Sequence, residues 1–397
     1  MSNTVDRSAA APAVASLAQL VDDAVSDGVA PFLVAMVADR DGVRWQHCAG
    51  LANATHPASP DSVLSIFSAT KAVGGLMAVM AIDRGLITMD TPVGDVLPQF
   101  DKLQVLESVG PNGPVFRKPK RRATLRHLLT HTSGMGLEFY YPLMAEYAAR
   151  TGAPSDVTGT FESLNYPLLF DPGEDFAYGI GLDWVGALVA ELDGRSIDRF
   201  VQEEILEPLG MKHTYFERAA AGDQLATIRL KRPDGEFEPM ENFLPENPEI
   251  YHMGYALYSS SADYLTFLRL VLNEGELDGR RLVSPEAMQL MYTDQLPGVA
   301  LPTPILKSSA AIICDTEPCP GTRKTHTAGF FRNEDALPGM RNVGSLFWGG
   351  ALNTHYWADP HAGIAAVFMT QMSPFFEPRL MERFTEFERT VYRDLVN

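Results

Sequence analysis

The sequence predicts a mixed α/β fold in which both ends of the chain build one sheet and a helical region lies between them. Two observations support this. Strand-like segments occur near both termini, whereas the middle of the chain carries apolar residues at helical spacing with breaks at Pro and Gly. Strands at both ends suggest a single sheet with an inserted helical subdomain. We therefore expect residues 1–80 and 281–397 to form the α/β domain and residues 81–280 the helical subdomain.

Each element follows from a local pattern. The first helix places its apolar residues on one face, at Leu17, Leu20, Val21, Ala24 and Val25. A hairpin follows, with strands at 32–39 and 43–49 and a turn at Arg40-Asp41-Gly42, whose glycine tolerates a positive φ. Helices are predicted at 125–131, 182–192 and 262–272. After a loop-rich stretch from about Pro297, strands are predicted at 346–348, 354–359 and 364–371, and an amphipathic helix at 380–395 closes the chain.

The charge of the chain argues against two classes of partner. Its 397 residues include 32 Lys and Arg against 50 Asp and Glu, which gives a formal net charge of −18. Such a field repels nucleic acid and anionic lipid surfaces. No apolar run approaches the length that crosses a bilayer. We expect neither a nucleic-acid nor a membrane partner, and the sequence leaves the oligomeric state open.

The cysteine content and the N-terminus indicate the compartment. The three cysteines, Cys48, Cys314 and Cys319, are an odd number and form no disulfide framework. Cys314 and Cys319 could pair in a loop, but free thiols in a reducing compartment are the simpler interpretation. The N-terminal stretch contains Asp6 and lacks the leucine-rich core of a signal peptide. We predict a cytoplasmic protein.

The sharpest chemical motif is Ser68-Ala69-Thr70-Lys71, where a polar stretch turns into an apolar helix. Residues three apart on a helix share a face, so Ser68 and Lys71 are expected to meet. Ser68 would lie at the positive end of the helix dipole. Lys71, followed by Ala72 and Val73, would be poorly solvated, which favours the neutral amine that can accept the serine proton. Alone, a Ser-x-x-Lys pattern is weak, because it occurs by chance in many helices.

Two further segments strengthen the motif. Tyr178 follows Asp171-Pro172-Gly173 at a junction from loop to helix, where a phenol can point into a cleft. Later, a strand narrows to Gly349-Gly350, and glycines within a strand mark the close approach of another backbone or of a ligand. The exposed N–H groups of such a strand can form half of an oxyanion hole.

Taken in order, the motifs resemble the serine β-lactamase-related family, in particular the family VIII carboxylesterases and the lovastatin acyltransferase type. They are Ser68 to Lys71, the run Leu125 to Gly134 (LRHLLTHTSG), Asp171-Pro172-Gly173 before Tyr178, Glu207-Pro208-Leu209-Gly210-Met211, and Trp348-Gly349-Gly350. The resemblance covers about residues 15–395. It implies a β-lactamase-like fold: a mainly antiparallel sheet flanked by helices, with an inserted helical subdomain.

The resemblance also implies roles for single residues. Ser68 would be the nucleophile, and Lys71 and Tyr178 the pair that transfers its proton. The backbone N–H groups of Ser68 and Ala351 would form the oxyanion hole. Neither a cofactor nor a metal is implied.

Two departures from the family pattern narrow the substrate. Lactam-cleaving and peptidase members carry Asn or Ser two residues after the tyrosine, where this chain has Ile180. They also carry a Lys-Thr-Gly box whose cation pairs with a substrate carboxylate, where this chain has Trp348. Lys324-Thr325-His326 matches that box only superficially. We therefore predict a serine hydrolase of small carboxylic esters.

Several alternatives stay open. An acyltransferase with an alcohol or amine acceptor would use the same chemistry. A β-lactamase or a D-Ala-D-Ala-type peptidase is a less favoured hypothesis. A catalytically dead binding module is disfavoured by the intact Ser68, Lys71 and Tyr178. His127 and His131 have the spacing of a zinc pair, but packing or capping explains them better. The predicted substrate-binding residues are Trp348, Gly349, Gly350, Phe139, Tyr140 and Ile180; core packing is an alternative role for Phe139, Tyr140 and Tyr141.

Overall fold

The computed structural model describes residues 10–296, 298–308, 310 and 312–396. The strands are β1 (Phe32–Asp39), β2 (Val43–Gly50), β3 (Val63–Ser65), β4 (Val105–Gly110), β5 (Gly113–Arg117), β6 (Arg229–Lys231), β7 (Phe237–Pro239), β8 (Tyr258–Ser260), β9 (Glu276–Leu277), β10 (Arg280–Arg281), β11 (Lys324–His326), β12 (Phe331–Asn333), β13 (Leu346–Gly350), β14 (Thr354–Asp359), β15 (Ile364–Met369) and β16 (Met372–Ser373). The helices are α1 (Ala10–Ser26), α2 (Thr70–Asp83), α3 (Leu125–Leu129), α4 (Pro142–Thr151), α5 (Gly181–Asp193), α6 (Ile197–Val201), α7 (Glu207–Leu209), α8 (Ser261–Leu272), α9 (Pro285–Tyr292) and α10 (Pro378–Val391). Residues 1–9, with Asp6 of the predicted cytoplasmic N-terminus, and Pro297 lie outside the described residues.

The central sheet takes strands from both ends of the chain. Its order is β11-β12-β13-β14-β15-β1-β2, and every neighbouring pair is antiparallel. Strands β13, β14 and β15 are buried along their whole length. Such strands need cover on both faces, which the helices provide. The predicted fold class, a mainly antiparallel sheet flanked by helices, is confirmed.

The two faces of the sheet carry different helices. On one face Trp357 of β14 contacts Phe384 of α10, with ring centres 5.6 Å apart. The next residue towards the N-terminus, Tyr356, lies on the opposite face and contacts Tyr264 of α8, at 4.9 Å. Because side chains alternate along a strand, this assigns every residue of the neighbouring β13 to a face as well.

The predicted elements agree with the structure most closely in the sheet. The hairpin β1–β2, the strands β13 to β15 and the helices α5 and α8 lie within a few residues of their predicted limits. The helix predicted at 125–131 ends earlier, at Leu129, because His131 adopts a φ of 58° that cannot continue a helix. The segment predicted to be mostly helical, residues 81–280, also contains strands β4 to β9. In the β4–β5 hairpin, much of the chain is exposed and lacks the clear alternation that predicts strands.

Other features bear on the predicted setting of the protein. None of the helices in the described residues combines the length and apolar character that a bilayer crossing requires. Cys48, Cys314 and Cys319 are all free thiols. The division of the chain at residues 80 and 280 and the cytoplasmic location stay predictions.

Candidate active site

Ser68 lies on the short turn that precedes helix α2. Strand β3 ends at Ser65, residues Phe67–Ala69 form a single 3₁₀ turn, and α2 begins at Thr70. Phe67 has a φ of 41°, which is a strained conformation for a residue with a bulky side chain. The connection leaves Ser68 partly exposed between two buried neighbours, at the N-terminal end of the helix.

Lys71 makes the contact that the Ser-x-x-Lys spacing predicts. Its Nζ donates to Ser68 Oγ at 3.3 Å and to the carbonyl oxygen of Gly254 at 2.8 Å. The residue is only 6% exposed. Its Nζ also lies 4.8 Å from the centre of the Tyr178 ring. A buried amine that touches a serine hydroxyl is suitably placed to exchange a proton with it.

Three consecutive backbone N–H groups hold the segment around Tyr178. The Ala177 N–H donates to the carbonyl oxygen of His131 at 2.8 Å. The Tyr178 N–H donates to the hydroxyl of Tyr141 at 2.9 Å, and the Gly179 N–H donates to His131 Nδ1 at 3.3 Å. His131 therefore binds both neighbours of Tyr178, and its left-handed backbone conformation orients its carbonyl and ring towards them. These bonds leave Tyr178 little freedom to move.

Trp348 also binds Tyr178, from the strand β13. Its Nε1–H donates to the phenolic oxygen at 2.9 Å. Trp348 lies on the same face of the sheet as Tyr356, opposite α10, which is the face towards Tyr178. A hydrogen bond donated to a phenolic oxygen stabilises any negative charge on that oxygen. The indole thus supplies a donor to the site as well as an apolar surface.

The end of β13 packs against the turn that carries Ser68. A Cβ at Gly350 would lie 1.9 Å from the carbonyl oxygen of Ile66. Thr354 Oγ1 donates to that same oxygen at 3.2 Å and accepts from the Gly350 N–H at 3.1 Å. Ala351 follows directly. Within the part of the chain that the structure describes, neither the Ser68 nor the Ala351 N–H has a backbone acceptor.

The remaining predicted pocket residues occupy different places. The ring of Tyr140 lies edge-on to that of Tyr178, with centres 6.0 Å apart. The Phe139 carbonyl accepts from Ser308, and the buried Ile180 precedes helix α5. Gly349 lies on the α10 face of the sheet, where a Cβ would be 2.7 Å from His355 Nδ1. Close packing against this histidine explains the glycine.

Two buried histidines near the site lack positive charge at neutral pH. Burial lowers the pKa of His131 well below its ordinary value, and the nearby His326 and Lys71 lower it further. Burial likewise lowers the pKa of His326 to about 4, although its bond to the Thr327 carbonyl opposes this. Neither of these two rings therefore adds a positive charge next to Lys71.

Gly254 and Asp183 belong to the site but carry no sequence motif. Gly254 accepts a hydrogen bond from Lys71, and Asp183 Oδ1 accepts one from the Gly254 N–H at 2.6 Å. Burial raises the pKa of Asp183, although His252 and Lys71 act in the opposite direction. The only signal for Asp183 is an acidic residue in the first turn of a helix, five positions after Tyr178.

The two histidines with zinc-like spacing serve the backbone. His127 Nδ1 accepts from the Thr124 N–H at 3.0 Å, which caps helix α3, and His131 binds the Tyr178 segment. Among the described residues no group of three or more His, Cys, Asp or Glu could hold a metal ion.

Comparison with known proteins identifies relatives along nearly the whole chain. An acyltransferase of Penicillium decumbens, calJ, is 33% identical over 336 residues, which cover 81% of this chain and 78% of the relative. A lovastatin esterase of Penicillium rubens is 26% identical over 80% of this chain and 81% of its own length. The LovD6 mutant of simvastatin synthase from Aspergillus terreus superposes with a TM-score of 0.83 at 26% identity, covering 99% of this chain and 98% of that chain.

A family model described as Beta-lactamase matches residues 17–387. The match includes the Ser68 turn, the Tyr178 segment and strand β13. It confirms the resemblance that the motifs predict, and the three relatives described above are named as an acyltransferase, an esterase and a simvastatin synthase. The chain belongs to the beta-lactamase family, among serine enzymes that act on acyl groups.

Proposed function

We propose that the protein cleaves carboxylic esters through an acyl-enzyme on Ser68. The observation that supports this most directly is the 3.3 Å hydrogen bond between the buried Lys71 amine and Ser68 Oγ. A serine hydroxyl is a weak nucleophile until a neighbouring base takes its proton. Tyr178, whose ring centre lies 4.8 Å from Lys71 Nζ, is the second residue that takes part in the transfer of this proton.

The reaction has two halves. Ser68 Oγ attacks the ester carbonyl carbon while its proton passes to Lys71 and Tyr178, and the N–H groups of Ser68 and Ala351 stabilise the oxyanion. The tetrahedral intermediate then collapses, the bond to the leaving alcohol breaks, and Tyr178 returns the proton to that alcohol. In the second half, water adds to the acyl carbon and gives one proton to Lys71 and Tyr178. The bond between Ser68 Oγ and the acyl carbon then breaks, the carboxylic acid is released, and the same two groups return the proton to Ser68 Oγ.

The side chains around the site favour a neutral substrate. Trp348 stands where a lysine would pair with a carboxylate, and Ile180 offers no side-chain hydrogen bond. The ring of Tyr140 adds further aromatic surface next to Tyr178. We therefore propose a small apolar ester as substrate, with a charged lactam or peptide as a poor one.

Acyl transfer is the second candidate, and the names of the relatives favour it. The calJ relative is an acyltransferase and the matching solved structure is a simvastatin synthase, whereas another relative is an esterase. Both reactions share the Ser68 acyl-enzyme. They differ only in whether water or an alcohol attacks the acyl carbon.

A labelling experiment tests the shared step. A fluorophosphonate should modify Ser68, as mapped by peptide mass spectrometry, and Ser68→Ala should remove the label and the hydrolysis of p-nitrophenyl butyrate together. Ser133→Ala is the matched control, because Ser133 is a buried serine of the neighbouring His-Thr-Ser-Gly turn and should keep both. A label on another serine alone would overturn the proposal.

A product analysis separates the two candidates. The protein is incubated with p-nitrophenyl butyrate and increasing cyclohexanol. Hydrolysis predicts butyrate as the product at every alcohol concentration. Transfer predicts cyclohexyl butyrate in proportion to the alcohol, at the expense of butyrate.

A further inference from the structure

A buried turn at residues 252–256 lies between the helices that carry Lys71 and Asp183. The N–H groups of Tyr255 and Ala256 both donate to the carbonyl oxygen of His252, which closes the turn. Met253 at its tip is fully buried. A Cβ at Gly74 of α2 would lie 3.0 Å from the Met253 side chain, and a Cβ at Gly186 of α5 would lie 2.9 Å from it. The two glycines thus make room for this turn.

The peptide groups of Gly254 connect Lys71 to Asp183. The Gly254 carbonyl accepts from Lys71 Nζ at 2.8 Å, and the Gly254 N–H donates to Asp183 Oδ1 at 2.6 Å. Asp183 is 2% exposed, so water does not compete for this bond. A Cβ at Gly254 would lie 2.6 Å from the same carboxylate oxygen, so a side chain at this position would disrupt the contact.

The orientation of the Lys71 amine decides whether it can act on Ser68. A neutral amine has two N–H donors and a single lone pair, and only the lone pair can take the serine proton. When one N–H is bound to the Gly254 carbonyl, rotation about the Cε–Nζ bond is restricted, and the remaining positions face Ser68 and Tyr178. The position of that carbonyl depends on what holds the Gly254 peptide.

We propose that Asp183 is a positioning residue that orients the Lys71 amine towards Ser68 through the Gly254 peptide. The inference rests on the proposed function of Ser68 and Lys71. A carboxylate suits this task, because both of its oxygens are acceptors and it cannot turn a donor towards the Gly254 N–H. The bond between the Gly254 N–H and Asp183 Oδ1 is also short, at 2.6 Å. Asp183 is separated from Lys71 by the Gly254 peptide and is buried, so it acts on the amine only through that peptide.

The test compares variants by the kinetics of p-nitrophenyl butyrate hydrolysis. Asp183→Ala should lower kcat by about ten- to hundredfold, as expected for a misplaced catalytic group, and leave KM unchanged. Asp183→Asn keeps an oxygen of the same reach and should recover kcat to within about threefold of the wild type. In a Lys71→Ala background, Asp183→Ala should have no further effect, because the amine that it positions is gone.

Controls separate positioning from general damage. Glu191→Ala removes an exposed carboxylate from the same helix α5 and should leave kcat and KM unchanged. Should Asp183→Ala fail to fold, as judged by thermal unfolding, Gly254→Ala decides, because its Cβ separates the carboxylate from the peptide and should lower kcat alone. A folded variant with wild-type kcat, or an equal loss with and without Lys71, would overturn the inference. Full activity of Ser68→Ala or Lys71→Ala would instead refute the proposed function itself.

Discussion

The indole N–H of Trp348 donates to the phenolic oxygen of Tyr178 at 2.9 Å, across 170 residues of chain. If Tyr178 takes part in proton transfer, this bond stabilises the charge on its oxygen. Trp348→Phe keeps an aromatic ring but removes the donor. A hydrogen bond to a charged group contributes about 1.5–3 kcal/mol, so kcat for p-nitrophenyl butyrate should fall by roughly ten- to hundredfold.

Trp357→Phe is the matched control for this substitution. Trp357 lies in the neighbouring strand β14, on the opposite face, and its Nε1 has no hydrogen-bond partner in the described residues. The same change at this position should leave kcat unchanged. Equal kcat values for Trp348→Phe and the wild type would mean that the indole serves packing alone.

Lys71 and Tyr178 should behave as one unit. We expect Lys71→Ala and Tyr178→Phe each to lower kcat by about 10² or more, the scale of lost general acid–base catalysis. The double variant should be little worse than either single one, because groups that share a proton do not contribute additively. Steady-state kinetics on one ester with all three variants checks this.

Lys324→Ala provides the comparison for Lys71→Ala. Lys324 belongs to the superficial Lys-Thr-His match, and its Nζ lies 2.6 Å from Glu317 Oε1 and donates to two backbone carbonyls. The Lys324→Ala variant should therefore have the kcat of the wild type. Near wild-type turnover by Tyr178→Phe would show that the tyrosine is structural.

Position 350 has no room for a side chain, because β13 packs closely against the turn that carries Ser68. In Gly350→Ala the new Cβ would meet the Ile66 carbonyl oxygen at 1.9 Å, so β13 or the turn must move. A displacement of about 1 Å in an active site can lower the rate by about 10²-fold, and we expect a loss of that size with a lower Tm. Gly42→Ala, with no atom within 4 Å of its Cβ, should change neither quantity. Unaltered kinetics in Gly350→Ala would argue against an oxyanion hole at Ala351.

The ionised carboxylate of Asp171 should stabilise the folded protein at neutral pH, and this contribution should be lost at acid pH. Its buried carboxylate accepts from Arg117 Nη1 at 2.7 Å and from the Lys120 N–H at 2.8 Å. The Arg117 hydrogen bond lowers the pKa of Asp171, against the effect of burial, and Lys120 lowers it further. Because the folded pKa lies below the unfolded value of about 4, the stabilisation is present above that pH and is lost as the pH falls towards the folded pKa.

Asp171→Asn tests this sign. The variant should unfold at lower denaturant than the wild type at pH 7, and the difference should shrink steadily below about pH 4. Asp175→Asn, in the same loop, is the comparison for a change of charge alone. A constant difference across the acid range would mean that the Asp171 carboxylate acts through its shape rather than its charge.

Local patterns in the sequence predict much of the fold. The limits predicted for β1 and β14 agree with the structure, because alternation and turn residues act over a few positions. The contact between Ser68 and Lys71 is likewise local, since a helix brings residues three apart to one face. Such features can be predicted from a short segment of sequence, without the rest of the chain.

The rest of the site depends on packing between distant segments. Gly254 meets Lys71 across 183 residues, and nothing in the sequence around either residue encodes the meeting. It arises because Met253 fits between Gly74 and Gly186 of two helices. In the same way, the resemblance that places Trp348 where a cation would stand gives no indication that its N–H binds Tyr178. Such contacts follow only once the elements are assembled.

The protein should prefer an ester to a lactam. By the resemblance, Trp348 takes the place of the cation, and Ile180 that of the polar side chain, with which lactam-cleaving members hold a carboxylated substrate. The loss of one charge-assisted hydrogen bond costs about 1.5–3 kcal/mol, or one to two decades in kcat/KM. A neutral acetyl to butyryl ester needs neither group.

The measurement is kcat/KM for p-nitrophenyl butyrate and for a chromogenic cephalosporin on one preparation, with Ser68→Ala as the blank for both. Trp348→Lys should lower the ester value and narrow the gap, because it removes the indole and restores a cation. A lactam value equal to or above the ester value in the wild type would contradict the assignment of ester substrates, since the aromatic site would then bind a charged substrate without a matching cation.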